Sequence, residues 1–64
     1  MRHFHSKAHY LYLRDRELRD AQHIEEIILP CMKGDPEEVI WTQHVFDHRK
    51  QAAEYERRAA ECPE

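Results

Sequence analysis

The segment from Pro30 to Glu38 constrains this chain most, because the sequence on either side of it follows a helical repeat. Pro30 has no backbone N–H and disfavours the α conformation in the residue before it. Gly34 supplies the permissive backbone that a reversal of direction needs. We therefore predict that a first helix ends near Ile28 and that the chain turns over residues 29–35.

The four residues Asp35-Pro36-Glu37-Glu38 have the order of a helix start. Asp is a favoured N-cap, Pro is tolerated at the first helical position, and the two carboxylates suit the positive end of the helix dipole. Pro63 cannot extend a helix, so it limits the other end. The sequence predicts a second helix over residues 36–61.

The first helix is predicted over residues 7–28, with Ser6 as its N-cap. Its apolar side chains share one face at helical spacing; they are Tyr10, Leu11, Leu13, Leu18, Ala21, Ile24, Ile28 and Leu29. Three charged residues interrupt that face, namely Arg14, Glu17 and Glu25. The face is therefore expected to be broad and polar at its edges.

The second helix carries three rows of residues that repeat every seven positions. One row is Trp41, His48, Tyr55 and Cys62; a second is Val45, Ala52 and Ala59; a third, beside the second, is Phe46, Ala53 and Ala60. One neighbouring helix cannot cover a surface of this width. We infer that the second helix has two partners, one within the hairpin and one outside it.

The predicted fold is all-α: a single antiparallel two-helix hairpin domain over residues 1–64. A chain of 64 residues buries only about 60% of the surface that its unfolded form exposes. Isolated helical pairs of this size are seldom stable without further support. Pairing of two chains into a dimeric four-helix bundle, with a turn at each end, is the solution we expect.

Composition indicates a cytoplasmic protein, because the chain has no apolar run of about 18 residues and no secretory signal pattern. Cys31 and Cys62 fall at opposite ends of the predicted hairpin and are expected to be free thiols. The formal charge of −3 is unevenly distributed. Residues 1–19 have five basic and two acidic side chains, whereas residues 20–38 have one basic and six acidic side chains. This polarity could orient a partner or a second copy.

Six histidines are the one unusual feature of the composition. His44 and His48 are four residues apart on the second helix, and an antiparallel register would bring His23 close to His44. Three neutral imidazoles could bind zinc. His48 also lies on the apolar seam, where a hydrogen-bonded core histidine is the simpler interpretation. We expect no cofactor and keep a metal-binding bundle as an alternative.

A basic, aromatic stretch on the first helix raises the alternative of a transcriptional or RNA regulator. Arg14, Arg16 and Arg19 are its central cations, with Tyr10 and Tyr12 nearby. Acidic residues separate these arginines, and a pI near 6.0 is far from the basic character of most nucleic-acid-binding domains. A mixed-charge solvated helix face is the preferred explanation of the pattern, so direct nucleic-acid binding is not favoured.

Catalysis is not expected, because Ser6 and Thr42 lack a partnering base and the one glycine cannot form a phosphate-binding loop. A protein-interaction module is the leading hypothesis: a stoichiometric regulator, inhibitor or adaptor of a larger protein. Its expected contact residues are Trp41, Val45, Phe46, His48 and Tyr55. Short charge-rich chains of this kind are common in phages, plasmids and bacterial accessory loci.

The triplet Asp47-His48-Arg49, preceded by Tyr10-Leu11 and the acid-capped helix start at Asp35, is similar in spacing to the small enterobacterial modulators of haemolysin expression. That resemblance implies partnership with a nucleoid-structuring protein. The chain departs from the family in lacking its aromatic, basic C-terminal segment. In architecture alone, the predicted hairpin resembles the plasmid-borne helical repressor that binds RNA loops as a dimer.

Overall fold

A computed structural model describes residues 6–62 of the chain, and in that part every regular element is helical. Helix α1 spans Lys7–His23, a π-helical turn spans Ile24–Ile28, and the short helix α2 spans Leu29–Cys31. Helix α3 spans Glu38–Glu61 and runs back along α1. The prediction of an all-α chain with two long helical arms is confirmed.

Ser6 caps the first arm as predicted. Its hydroxyl accepts a hydrogen bond from the backbone N–H of His9 at 3.2 Å, and its carbonyl accepts one from Tyr10 at 3.1 Å. The first bond satisfies an N–H group that the first turn of a helix leaves without an intrahelical partner, and the second is the first regular hydrogen bond of α1.

The first arm does not stop at Ile28, because helical structure continues through Pro30 to Cys31. The preceding turn widens, and the N–H of Leu29 donates to the carbonyl of Ile24, five residues back. A π-helical turn spreads the backbone where the proline ring would otherwise collide with the carbonyl four residues earlier. The predicted end near Ile28 is thus corrected by three residues.

The reversal lies over residues 32–37, later than the predicted 29–35. Gly34 has φ +79°, the left-handed conformation that its lack of a side chain permits. The Asp35 carboxylate accepts a hydrogen bond from the N–H of Glu37 at 2.8 Å. Asp35 therefore caps a turn rather than the helix itself, and α3 begins at Glu38 instead of Pro36.

The core between the arms is narrow and built mainly from small side chains. Its buried members are Ala21, Ile24, Val45, Ala52 and Ala59. Trp41, Ile28 and Leu29 pack against its end near the bend. The predicted row of Val45, Ala52 and Ala59 is thus the seam of the hairpin, where alanines let the two helices approach closely.

Several large apolar side chains remain exposed: Tyr12, Leu18, Ile27, Val39, Ile40 and Phe46. Ala53 and Ala60, the other members of the third predicted row, are exposed as well. The expected second apolar surface on α3 is therefore present and uncovered in the single chain. None of the described helices has both the length and the apolar character needed to cross a membrane.

Candidate interaction surface and a carboxylate–histidine cluster

The two arms are joined by a polar contact in the middle of the seam. Glu17 on α1 and His48 on α3 lie with Oε1 and Nδ1 2.6 Å apart. Both side chains are less than one-third exposed. A short contact of this kind, partly shielded from water, fixes the level at which α1 and α3 face each other.

Two further polar contacts mark one edge of the seam. Glu25 accepts a hydrogen bond from Arg49, and Arg14 lies 3.8 Å from Glu56. The three charged residues that interrupt the apolar face of the first helix therefore all contact the opposite arm. These charged side chains lie on an apolar face because each has a polar partner on the other arm.

The same edge borders the exposed apolar row of α3, which we call the Phe46 row: Val39, Phe46, Ala53 and Ala60. Arg49 lies on α3 between Phe46 and Ala53. Leu18 precedes Glu25 by seven residues, so it lies on the same side of α1. Phe46 is 62% exposed, Val39 76% and Leu18 44%. Large apolar side chains thus border one edge of the hairpin on both helices.

The other predicted contact residues hold the hairpin together instead. Val45 is in the core, and Trp41 packs against it. The Trp41 ring also makes a T-shaped contact with His44, with 5.3 Å between the ring centroids. Tyr55 contacts Tyr10 across the seam at 6.3 Å between ring centroids. Together with the pairing of His48, this leaves Phe46 as the one predicted contact residue whose side chain is mainly exposed.

The structure does not group the three histidines proposed as metal ligands. Within residues 6–62, the only set of three potential ligands is Glu17, Asp20 and His48, whose donor atoms lie within 4.8 Å of one another. His23 and His44 are exposed and outside it. A mixed carboxylate and imidazole set is chemically suited to zinc. The same atoms also form the Glu17–His48 contact that joins the arms.

This cluster could have been anticipated only in part. Glu17 and Asp20 are three residues apart and share a helix face, which the sequence shows directly. Their approach to His48 depends on the register between the arms, which no local motif specifies. Sequence reasoning gave weight to the histidines and overlooked the carboxylates beside them.

The three arginines of the first helix differ in their surroundings. Arg14 donates to Asp15 through Nε at 3.0 Å and through Nη2 at 2.8 Å. Arg16 and Arg19 line a shallow surface depression with Tyr12, Asp15 and Asp20. Carboxylates thus accompany the cations of this surface, which opposes the attraction of a polyanion.

The end of α3 holds a compact ion-pair network on its exposed side. Glu54 accepts a hydrogen bond from Arg58 at 3.1 Å and another from Arg57. The hydrogen bonds from Arg58 and Arg57 lower the pKa of the Glu54 carboxyl below its ordinary value. Arg57 also reaches Glu61 at 3.1 Å. This network supports the last turns of α3.

Comparison of the chain with models of protein families, with curated proteins and with solved structures gives no match. The resemblances of spacing and architecture noted in the sequence therefore find no support there. The proposal for function rests on the geometry of the hairpin alone.

Proposed function

We propose that this chain is a non-enzymatic protein-interaction module that acts by stoichiometric binding, as a regulator, inhibitor or adaptor of a larger protein. The observation that carries the proposal is the contrast between a narrow core of small side chains and several large apolar side chains left exposed. Phe46 and Ile40 are each more than half exposed on α3.

Exposed apolar area is informative when it is concentrated on so small a molecule. The hairpin presents two helical arms with apolar side chains at helical spacing, a surface that suits packing against other helices. An exposed apolar side chain such as Ile40 can serve as an anchor for such packing. The acidic bend and the basic arm would orient a bound partner, while apolar contacts would supply most of the affinity.

The proposal is tested by affinity capture from the host cell, followed by reconstitution with the captured protein in purified form. Tagged wild-type chain is compared with Ile40→Asp and with Gln51→Asp, a matched change at an exposed polar position of α3. We expect one protein to be retained by the wild type and by Gln51→Asp and lost with Ile40→Asp. Titration should then give a fixed stoichiometry.

A second set of variants separates this proposal from nucleic-acid binding. Arg16→Ala combined with Arg19→Ala should leave binding to the protein target intact, and raised salt should change it little. Nucleic-acid binding would instead fall steeply with salt and disappear with these arginines. Binding that falls steeply with salt and disappears with these arginines would contradict the proposal. Binding of the protein target that is unaffected by Ile40→Asp would also contradict it.

A further inference from the structure

We propose that the Phe46 row is the contact surface for a second copy of this chain, and that the two copies pack antiparallel, with the bend of each beside the open end of the other. This inference goes beyond the proposed function, because it assigns one apolar surface to self-association. Ile27 and Ile40 lie outside the row and remain available to a larger protein.

The Phe46 row is symmetric about the middle of α3 in its positions, with its larger side chains in one half and its alanines in the other. Helix α3 runs from Glu38 to Glu61, so its midpoint falls between residues 49 and 50. Phe46 and Ala53 are equally distant from that midpoint, and so are Val39 and Ala60. A two-fold axis through the midpoint would place Phe46 of one copy over Ala53 of the other, and Val39 over Ala60.

Each large side chain of the Phe46 row would then meet a small one of the second copy. This is the self-complementarity that an isologous two-fold interface requires. In a parallel arrangement Phe46 would meet Phe46 of the second copy, and Ala53 and Ala60 would meet the same alanines of that copy. Interfaces that fill space evenly pack better than those that alternate collisions with voids.

Leu18 on the other helix also borders the proposed contact. The Glu17–His48 contact sets the level of α1 against α3, and His48 lies within two residues of the α3 midpoint. Leu18 is therefore close to the level of the proposed axis, on the edge that the Phe46 row borders. Its exposed side chain would meet the Leu18 of the second copy, extending the contact to both helices.

The two halves of the hairpin also differ in net charge. Residues 18–49, the half of the hairpin that contains the bend, have three basic and seven acidic side chains, for a net charge of −4. The other described residues, 6–17 and 50–62, form the open half and have six basic and five acidic side chains, for a net charge of +1. Antiparallel packing places each acidic half beside a weakly basic one, whereas parallel packing opposes two acidic halves.

The hairpin is long and narrow, with dimensions of 50 × 15 × 15 Å. A second copy laid along the Phe46 row would therefore contact it along the length of α3. A second copy laid along this face would give the four-helix arrangement that short helical hairpins favour.

Disulfide trapping tests the orientation. Cys31 and Cys62 are first replaced by Ser, and Val39→Cys and Ala60→Cys are then introduced into separate chains. Mixing under mild oxidation should yield mainly the Val39→Cys/Ala60→Cys heterodimer, while a mixture of Asp47→Cys and Ala60→Cys should not cross-link. Homodimers of each single variant as the main products would show parallel packing and overturn the proposal.

A size-exchange experiment tests the predicted opposition of Phe46 and Ala53. Phe46→Ala alone and Ala53→Phe alone should each weaken dimerisation by about tenfold or more, through a void and a collision respectively. The double variant restores a large residue opposite a small one and should recover the wild-type dissociation constant to within about threefold. Circular dichroism verifies that each chain stays helical. If the double variant loses dimer affinity by the sum of the two single losses, Phe46 and Ala53 do not face each other across the interface.

The outcomes separate the two proposals. A helical chain that remains monomeric yet binds a protein target, and loses it with Ile40→Asp, would refute self-association and leave the proposed function standing. A dimer that passes both tests but binds no protein target would refute the proposed function alone.

Discussion

Glu17 and His48 meet across the hairpin, with a carboxylate oxygen 2.6 Å from an imidazole nitrogen. This polar contact joins two arms that share only a small apolar core. Glu17→Gln, His48→Gln and the double variant form a thermodynamic cycle. We expect a coupling free energy of about 1 kcal/mol, because the pair is partly shielded from water. Urea unfolding at one fixed chain concentration measures it, and strictly additive losses would contradict it.

The close approach of the helices depends on alanines at the seam. Ala52 is 2% exposed, so Ala52→Leu should force α1 and α3 apart and destabilise the fold by about 1–3 kcal/mol. Gln51→Leu adds a similar side chain next to it at an exposed position and should change stability by less than about 0.5 kcal/mol. Thermal unfolding of both variants makes the comparison, and equal effects would contradict the described packing.

The turn depends on one residue in the left-handed region. Gly34 has φ +79°, and open space surrounds the position where a Cβ would lie. Gly34→Ala should therefore cost about 1 kcal/mol through backbone strain alone, and Gly34→Asn should cost less. Denaturant midpoints test this order. Equal stability of the Ala variant and the wild type would show that the turn adopts another conformation.

The network at the end of α3 predicts a pH effect with a defined sign. The lowered pKa of the Glu54 carboxyl means that its ionised form stabilises the folded chain at pH values above its ordinary pKa. That contribution is lost as the pH falls through the lowered pKa. NMR titration should show this pKa below that of an ordinary Glu, and Arg58→Gln should raise it. A pKa unchanged by Arg58→Gln would contradict the assignment.

The rows of the second helix could be predicted because burial follows the helical repeat. Val45, Ala52 and Ala59 repeat every seven residues and are buried, while Phe46 in the neighbouring row is exposed. The cap at Ser6 was also predictable, since a cap depends on local chemistry alone.

Two features could not be predicted from local sequence. Pro30 is a reliable obstacle to a regular helix, but the chain can either stop before it or absorb it in a widened turn, and the structure takes the second course. The approach of Asp20 to His48 depends on register and on side-chain rotamers together. Local patterns therefore give the elements, and packing between the arms decides which side chains meet.

Solution mass as a function of concentration tests the central claim most directly, since the claim is that the exposed apolar row of α3 binds a second copy. Light scattering on the wild-type chain should give twice the 7.8 kDa mass of one chain, with dissociation only on strong dilution. Phe46→Asp should give a helical monomer over the same range, and Gln51→Asp should behave as the wild type. A helical wild-type chain that stays at 7.8 kDa at every concentration would contradict the claim.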